Sequence, residues 1–254
     1  MRTQNKMPLA LIGEKADDFI KLGLSSNGFK IIPLPTDERL APQVSSHADM
    51  LISVIDNTIF CNEDYYKKNI SIFKQIKNYG YEINHSTFEI SNKYPNDVAL
   101  NQAVVDKNIL GYANDCAKSI LKYASENGYN YQSIKQGYAK CSTLILGNKA
   151  IISADASIIS MADKLNISRL KITNGINEIK LDGYDYGFIG GASAVYKDNV
   201  FFFGDLKMHS QGNEISEFCK LNGFFPISLG KEKLCDVGGA IILQPLNWYS
   251  QQIS

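Results

Sequence analysis

Residues 47–84 read HADMLISVIDNTIFCNEDYYKKNISIFKQIKNYGYEIN, and this segment contains the clearest architectural signal in the chain. Its apolar pattern predicts two strands joined by a turn at Asn57, then a helix that ends near Gly80, then a short closing strand. The predicted strands and helix occupy, in chain order, 47–56, 58–61, 63–77 and 81–84. The stretch therefore predicts a strand–strand–helix–strand unit.

The same unit recurs along the chain, which indicates a repeat architecture. Three further complete copies are predicted over 97–134, 140–173 and 192–228. A fifth copy begins with a strand over 237–243, and its remaining strand, helix and strand are predicted at residues 9–34. One unit is thus divided between the two ends of the chain. Such a division closes a ring of sheets and protects the sheet edges. An open α/β sheet with irregular helices is the alternative.

Composition places the chain among ordinary globular proteins and predicts a single domain over residues 1–254. Hydrophobic residues make up 44% and charged residues 20%, and 26 Lys and Arg balance 26 Asp and Glu. This balance argues against a dedicated nucleic-acid binder, and the apolar runs are too short for a membrane span. Five cysteines without a Cys-x-x-Cys motif predict reduced thiols, and three scattered histidines give no metal signature. We therefore expect a cytoplasmic protein that needs no metal or cofactor.

Three short segments contain residues suited to catalysis. Cys141 lies in Gly137-Tyr-Ala-Lys-Cys-Ser-Thr143, and a thiolate there would be a nucleophile; a small buried hydrophobic residue is the alternative. His47 titrates near neutrality, and Asp49 two residues later lies on the same side of the predicted strand, where it would orient the imidazole or bind substrate. A solvated His-Asp pair at a strand end is the alternative there. Asp236 precedes Gly238-Gly239, which would allow a ligand to approach closely or form a simple turn.

Five such units resemble the pentein fold of guanidino-group-modifying enzymes, which include deiminases, dimethylarginine hydrolases and amidinotransferases. The residues around His47, Cys141 and Asp236 are similar to three segments of agmatine deiminases, namely Gly-His-x-Asp, Gly-x-x-His-Cys-x-Thr and Glu-Gly-Gly. Here the segments occur in the order His, Cys, acidic Gly-Gly, whereas in that family the Cys segment comes last. A circular permutation would produce this order. Without one, Ile242 or Leu243 would occupy the nucleophile position.

The resemblance implies a cysteine hydrolase or amidinotransferase that acts on a small guanidine or amidine through a covalent thiouronium intermediate. It assigns nucleophilic attack to Cys141, proton transfer to His47 and binding of the cationic group to Asp236. Two further carboxylates are candidates for substrate binding: Asp97, which also suits a turn after Pro95, and Asp185 in the weak segment Tyr184-Asp-Tyr-Gly187. Departures from the family are Lys140 before the cysteine, where it has His, and Asp236 where it has Glu.

A non-catalytic protein of the same fold, which binds a ligand or partner through the channel or rim, is the main alternative function. An unrelated α/β enzyme is the third hypothesis, and it fails if the units close into a ring. The sequence does not define the oligomeric state.

Overall fold

The computed structural model describes residues 6–246 except Asn177 and shows a mixed α/β fold built from small sheets. The strands are β1 (Leu9–Gly13), β2 (Lys30–Leu34), β3 (Ile52–Ile55), β4 (Thr58–Asn62), β5 (Glu82–Ser86), β6 (Ala103–Val105), β7 (Asn108–Gly111), β8 (Asn130–Ser133), β9 (Thr143–Leu146), β10 (Ala150–Ser153), β11 (Ser168–Lys171), β12 (Ile179–Lys180), β13 (Ser193–Tyr196), β14 (Asn199–Phe202), β15 (Phe225–Ser228), β16 (Leu234–Cys235) and β17 (Ala240–Leu243). The α-helices are α1 (Asp18–Ser26), α2 (Ala48–Leu51), α3 (Glu63–Lys68), α4 (Ile70–Lys77), α5 (Lys118–Glu126), α6 (Ala156–Lys164) and α7 (Gly212–Leu221).

Five sheets of three strands share one topology. In each, the middle strand pairs antiparallel with one neighbour and parallel with the other, as in β3-β4-β5. The sheet β17-β1-β2 is made from both ends of the chain, with Leu243 opposite Leu9. The predicted division of one unit between the termini is thereby confirmed. A parallel pair of short strands, β12 and β16, was not predicted from the sequence.

Helix ends follow the local signals in the sequence. Helices α1, α5 and α7 each end at an asparagine that is followed by a glycine with positive φ. Gly128 has φ +69, a conformation that glycine adopts without the steric cost that a Cβ would introduce. The sequence predicts helix stops at Asn27-Gly28, Asn127-Gly128 and Asn222-Gly223, with the last helical residues at 24, 125 and 221. The observed ends lie within two residues of these positions.

The first strand of a unit begins at least three residues later than the sequence predicts in four of the five units, and one residue later in the other. Residues 48–51 form the helical turn α2, and residues 139–142 form a turn before β9. The prediction that His47 and Asp49 share one side of a strand is therefore wrong. Tertiary contacts override strand propensity here, because Asp49 N donates to Gly238 O at 3.3 Å. The helix predicted over 63–77 is also wrong in part, since it breaks at Asn69, whose side chain donates to Tyr65 O.

A central cavity lies where the first strands of all five sheets approach one another. Strands β3, β6, β9, β13 and β17 each contribute side chains to this cavity, which has a volume of about 210 Å³. Polar groups lie among its apolar walls, and they include Asp49, Gln102 and Lys140. The first strands of all five units therefore line the same cavity.

The described helices fall short of the requirements for crossing a membrane. Within residues 6–246 apart from Asn177, none of them combines the length and the apolar character that a bilayer span requires.

Candidate active site

Cys141 lies in a tight turn immediately before β9, and its side chain is 4% exposed. The turn is closed by Ser142 N, which donates to Tyr138 O at 2.9 Å, and by the Thr143 hydroxyl, which donates to Ala139 O at 2.7 Å. The thiol donates to Oδ2 of Asp49 at 2.9 Å. The sulfur thus has a carboxylate as its direct partner.

Asn101 holds the cysteine turn in place from the neighbouring unit. Its side-chain oxygen accepts from the backbone N–H groups of Lys140 at 2.8 Å and Cys141 at 3.1 Å. Its amide nitrogen lies 3.0 Å from the Cys141 sulfur and 3.2 Å from the Asp49 carbonyl oxygen, and it donates to both. Asn101 is fully buried, so these contacts fix the sulfur relative to both the turn and the carboxylate.

Asp49 is buried beneath the sulfur and is only partly satisfied by hydrogen bonds. Its Oδ1 has no hydrogen-bond partner in the described part of the chain. Burial, and then the nearby carboxylate of Asp236, raise the pKa of Asp49 to about 7, while Lys140 opposes this shift. Asp49 is therefore able to exchange a proton near neutral pH.

Asp236 is the second buried carboxylate of the site, and backbone N–H groups hold it in place. Its Oδ2 accepts from Phe188 N at 2.8 Å, and its Oδ1 accepts from Gly238 N at 2.9 Å. The Nδ1 atom of His47 lies 3.9 Å from Asp236 Oδ1. Burial lowers the pKa of His47, and the Asp236 carboxylate offsets part of that effect. The carboxylate that faces the imidazole is therefore Asp236, whereas the Asp49 carboxylate accepts a hydrogen bond from the thiol.

The thiol of Cys141 is strongly protonated in this setting. Burial raises its pKa well above the ordinary value, and the carboxylates of Asp49 and Asp236 raise it further. The hydrogen bond from Asn101 acts in the opposite direction. Lys140 lines the central cavity, whereas Cys141 lines a second cavity. The site as it stands therefore favours the protonated thiol over the thiolate.

This second cavity, which we call the thiol cavity, has a volume of about 280 Å³. It brings together Cys141, His47, Asp236 and Asp185, four of the six residues that the sequence proposed. Asp49 does not line this cavity, but it accepts a hydrogen bond from the thiol that does. Asp97 does not line the cavity, and its Oδ2 accepts from the Tyr138 hydroxyl at 2.6 Å.

Sequence reasoning missed Asn101 and the aromatic side chains of the thiol cavity. The rings of Tyr138 and Phe188 lie 6.3 Å apart, and those of Phe188 and Tyr186 lie 5.8 Å apart with a T-shaped geometry. The cluster of aromatic residues between 184 and 188 was a usable signal, because it flanks the candidate Asp185. Asn101 had no comparable local signal.

Metal binding receives no support from the described part of the chain. Residues 6–246, Asn177 aside, contain no group of three or more His, Cys, Asp and Glu side chains arranged to hold a metal ion.

Replacing Asp49 with asparagine is expected to lower the pKa of the Cys141 thiol. The change removes the negative charge and the acceptor that keep the proton on the sulfur. The rate of iodoacetamide modification of Cys141, measured against pH by peptide mass spectrometry, should therefore rise at lower pH in Asp49→Asn than in the wild type. Cys61 is the internal control, because burial alone raises its pKa to about 12 and its profile should not move. An unchanged Cys141 profile would show that Asp49 does not control the thiol.

Comparison with solved structures finds enzymes that share this fold. DDAH from Pseudomonas aeruginosa, solved as a cysteine-to-serine variant with citrulline, matches with TM-score 0.57 and 10% identity over 94% of this chain and 99% of that chain. Inosamine-phosphate amidinotransferase from Streptomyces griseus matches with TM-score 0.57 and 11% identity over 90% and 78% of the two chains. The saxitoxin-pathway amidinotransferase from Microseira wollei matches with TM-score 0.56 and 12% identity over 92% and 94%.

These likenesses, together with the order of the sheets, confirm that the fold resembles the pentein fold of the guanidino-modifying enzymes. The chain belongs to a family of unknown function, DUF6873, whose model matches residues 11–241. Curated proteins gave no match to the sequence.

Proposed function

We propose that the thiol cavity binds a guanidinium or amidinium group and that Cys141 attacks its central carbon. The observation that carries this proposal is the pair of buried carboxylates, Asp49 and Asp236, that act on one buried thiol. Burial of two like charges near each other is unfavourable, and a planar cation bound against Asp236 in the thiol cavity relieves that cost. Each Asp236 oxygen accepts one backbone N–H and keeps a lone pair free for such a ligand.

The proposed chemistry begins with transfer of the thiol proton to Asp49, whose Oδ2 already accepts it in a hydrogen bond. A bound cation lowers the pKa of the thiol, because it offsets the carboxylate charges that raise that pKa. The sulfur then forms a bond to the guanidinium carbon, and a carbon–nitrogen bond breaks. We assign delivery of the departing amine's proton to His47, the imidazole that lines the same cavity.

The resulting thiouronium is resolved by a second nucleophile. Water adds to the carbon and releases a urea and the thiol, which is hydrolysis, whereas an amine accepts the amidino group, which is transfer. In both routes the entering water or amine loses a proton to His47, which replaces the proton given to the departing amine. Asp49 returns its proton to the sulfur, and the site is regenerated.

We further propose that the five sheets form a ring with pseudo-fivefold symmetry around the central cavity. The first strand of every sheet lines that cavity, and the sheet built from both termini joins the last unit to the first. Circular permutation of the motif order follows from this proposal, because Cys141 meets His47 and Asp236 in one cavity despite the changed order.

A pair of alkylating agents tests the cation preference of the site. Chloroacetamidine carries a positive charge, and chloroacetamide is its neutral counterpart with the same leaving group. We expect Cys141 to react at least about tenfold faster with chloroacetamidine, because the two carboxylates attract the cation. Cys61, whose pKa is raised by burial alone, provides the comparison and should show a much smaller preference. Equal preferences at the two cysteines would contradict a guanidinium site at Cys141.

The non-catalytic alternative is favoured by one observation, the burial of the thiol with a strongly raised pKa. A protein that only binds a cation would protect Cys141 from alkylation without releasing product. Measuring ammonia and amine release from guanidines that bind separates these two functions.

A further inference from the structure

One wall of the thiol cavity is aromatic, and the part of a ligand that extends from a bound cationic group would contact it. Tyr138, Tyr186 and Phe188 form a connected row of rings along this wall. Tyr138 is fixed by its hydroxyl, which donates to Asp97 at 2.6 Å. Leu181 and Val44 complete the apolar lining. A ligand tail that leaves the cationic end therefore runs along carbon surface.

Charge in the thiol cavity has one sign. The charged side chains that line it are Asp236 at the imidazole and Asp185, which is exposed, and Asp49 lies just behind the sulfur. Among the described residues, no Lys or Arg lines this cavity.

Lys15 lies in the neighbouring cavity that shares His47 and Asp236. Its ammonium donates to Pro42 O at 3.2 Å and to the Ser45 hydroxyl at 2.9 Å, so it is already engaged. A ligand carboxylate in the thiol cavity would thus meet negative charge and aromatic carbon.

We propose, as a refinement that rests on the proposed function, that this protein acts on guanidines with an apolar tail and no carboxylate. Amino-acid guanidines carry an α-carboxylate, which would lose its hydration and be repelled by Asp185 and Asp236. An alkyl tail gains contact with the rings of Tyr138, Tyr186 and Phe188. The cavity therefore selects for the tail as well as for the cationic end.

Three probes of matched structure test this selection by isothermal titration calorimetry on the full-length protein. Methylguanidine reports the cation alone, butylguanidine adds an apolar tail, and 4-guanidinobutanoate places a carboxylate on a similar tail. We expect butylguanidine to bind at least about tenfold more tightly than either of the others. Equal or tighter binding of 4-guanidinobutanoate would overturn the proposal, and so would equal binding of methylguanidine and butylguanidine.

Two variants connect the selection to the named side chains. Tyr186→Ala should weaken butylguanidine binding several-fold and leave methylguanidine binding within about twofold, because only the tail reaches that ring. Asp185→Asn should reduce the difference in affinity between butylguanidine and 4-guanidinobutanoate, because it removes one charge that repels the carboxylate. Lys15→Gln is the matched control on the neighbouring cavity and should leave this difference unchanged. If the difference in affinity between butylguanidine and 4-guanidinobutanoate changes only in Lys15→Gln, the assignment of the selection to Tyr186 and Asp185 is contradicted.

Failure of the refinement differs from failure of the proposed function. If methylguanidine and butylguanidine both fail to bind and chloroacetamidine shows no preference for Cys141, the guanidinium site itself is wrong. If methylguanidine binds and the tail makes no difference, the site stands and the aromatic wall does not select the substrate.

Discussion

Cys141→Ser is expected to lower kcat on the most tightly bound guanidine by on the order of 10³-fold or more, as removal of a covalent nucleophile does in other enzymes. The serine hydroxyl is a far weaker nucleophile than a thiolate at neutral pH, even with Asp49 as its hydrogen-bond acceptor. Ammonia and amine release, measured under saturating guanidine, reports this loss.

Binding should survive the same substitution, because the carboxylates that attract the cation remain. We expect the Kd of butylguanidine to change by less than about threefold in Cys141→Ser. Cys61→Ser is the matched control, since Cys61 is also buried but does not line the thiol cavity. If the wild type binds butylguanidine and releases neither ammonia nor amine, the protein is a binding protein and the catalytic proposal is wrong.

Much of the fold was accessible from the sequence because its signals are local. Hairpin turns and Asn-Gly helix ends are decided by a few neighbouring residues, as at Asn127-Gly128, where the helix stops as predicted. The division of one unit between the termini followed from counting these local units. The parallel pairing of Leu9 with Lys30 and the antiparallel pairing with Leu243 agree with that count.

The start of the first strand was not accessible in four of the five units, because distant contacts decide it. Asp49 leaves the strand conformation where its N–H meets the carbonyl of Gly238, and the sequence does not show that these residues meet. Asn101 illustrates the same limit in the site. It contacts Asp49 and Cys141, which lie 52 and 40 residues away, and no pattern around residue 101 distinguishes it from a loop asparagine.

Gly191→Ala is expected to abolish guanidinium binding, with a loss of affinity of about a hundredfold or more. A Cβ at residue 191 would collide with the carboxylate of Asp236, lying 2.8 Å from its Oδ2 and closer still to its Oδ1. Asp236 cannot yield easily, because Phe188 N and Gly238 N hold its two oxygens. Overpacking of this kind costs about 1–3 kcal/mol in the free energy of unfolding.

Gly191 also couples Asp236 to the nucleophile, which is why we expect more than a loss of stability. Its N–H donates to Cys141 O at 3.0 Å, and its carbonyl accepts from Val237 N at 3.1 Å and from Gly239 N at 2.7 Å. Displacement of residue 191 therefore moves the cysteine turn and the segment after Asp236 together. The ratio of the rates at which Cys141 reacts with chloroacetamidine and with chloroacetamide should fall toward one.

Gly128→Ala provides a control of similar stability cost away from the site. Gly128 has φ +69 and open space around its Cα, so alanine there costs about 1–2 kcal/mol through backbone strain alone. Urea denaturation of both variants gives the two losses of stability, and circular dichroism confirms that each is folded under the binding conditions. Loss of binding in Gly191→Ala but not in Gly128→Ala would place the effect at the site. Equal loss in both would show that binding follows global stability, and Gly191 would then have no special role in holding Asp236.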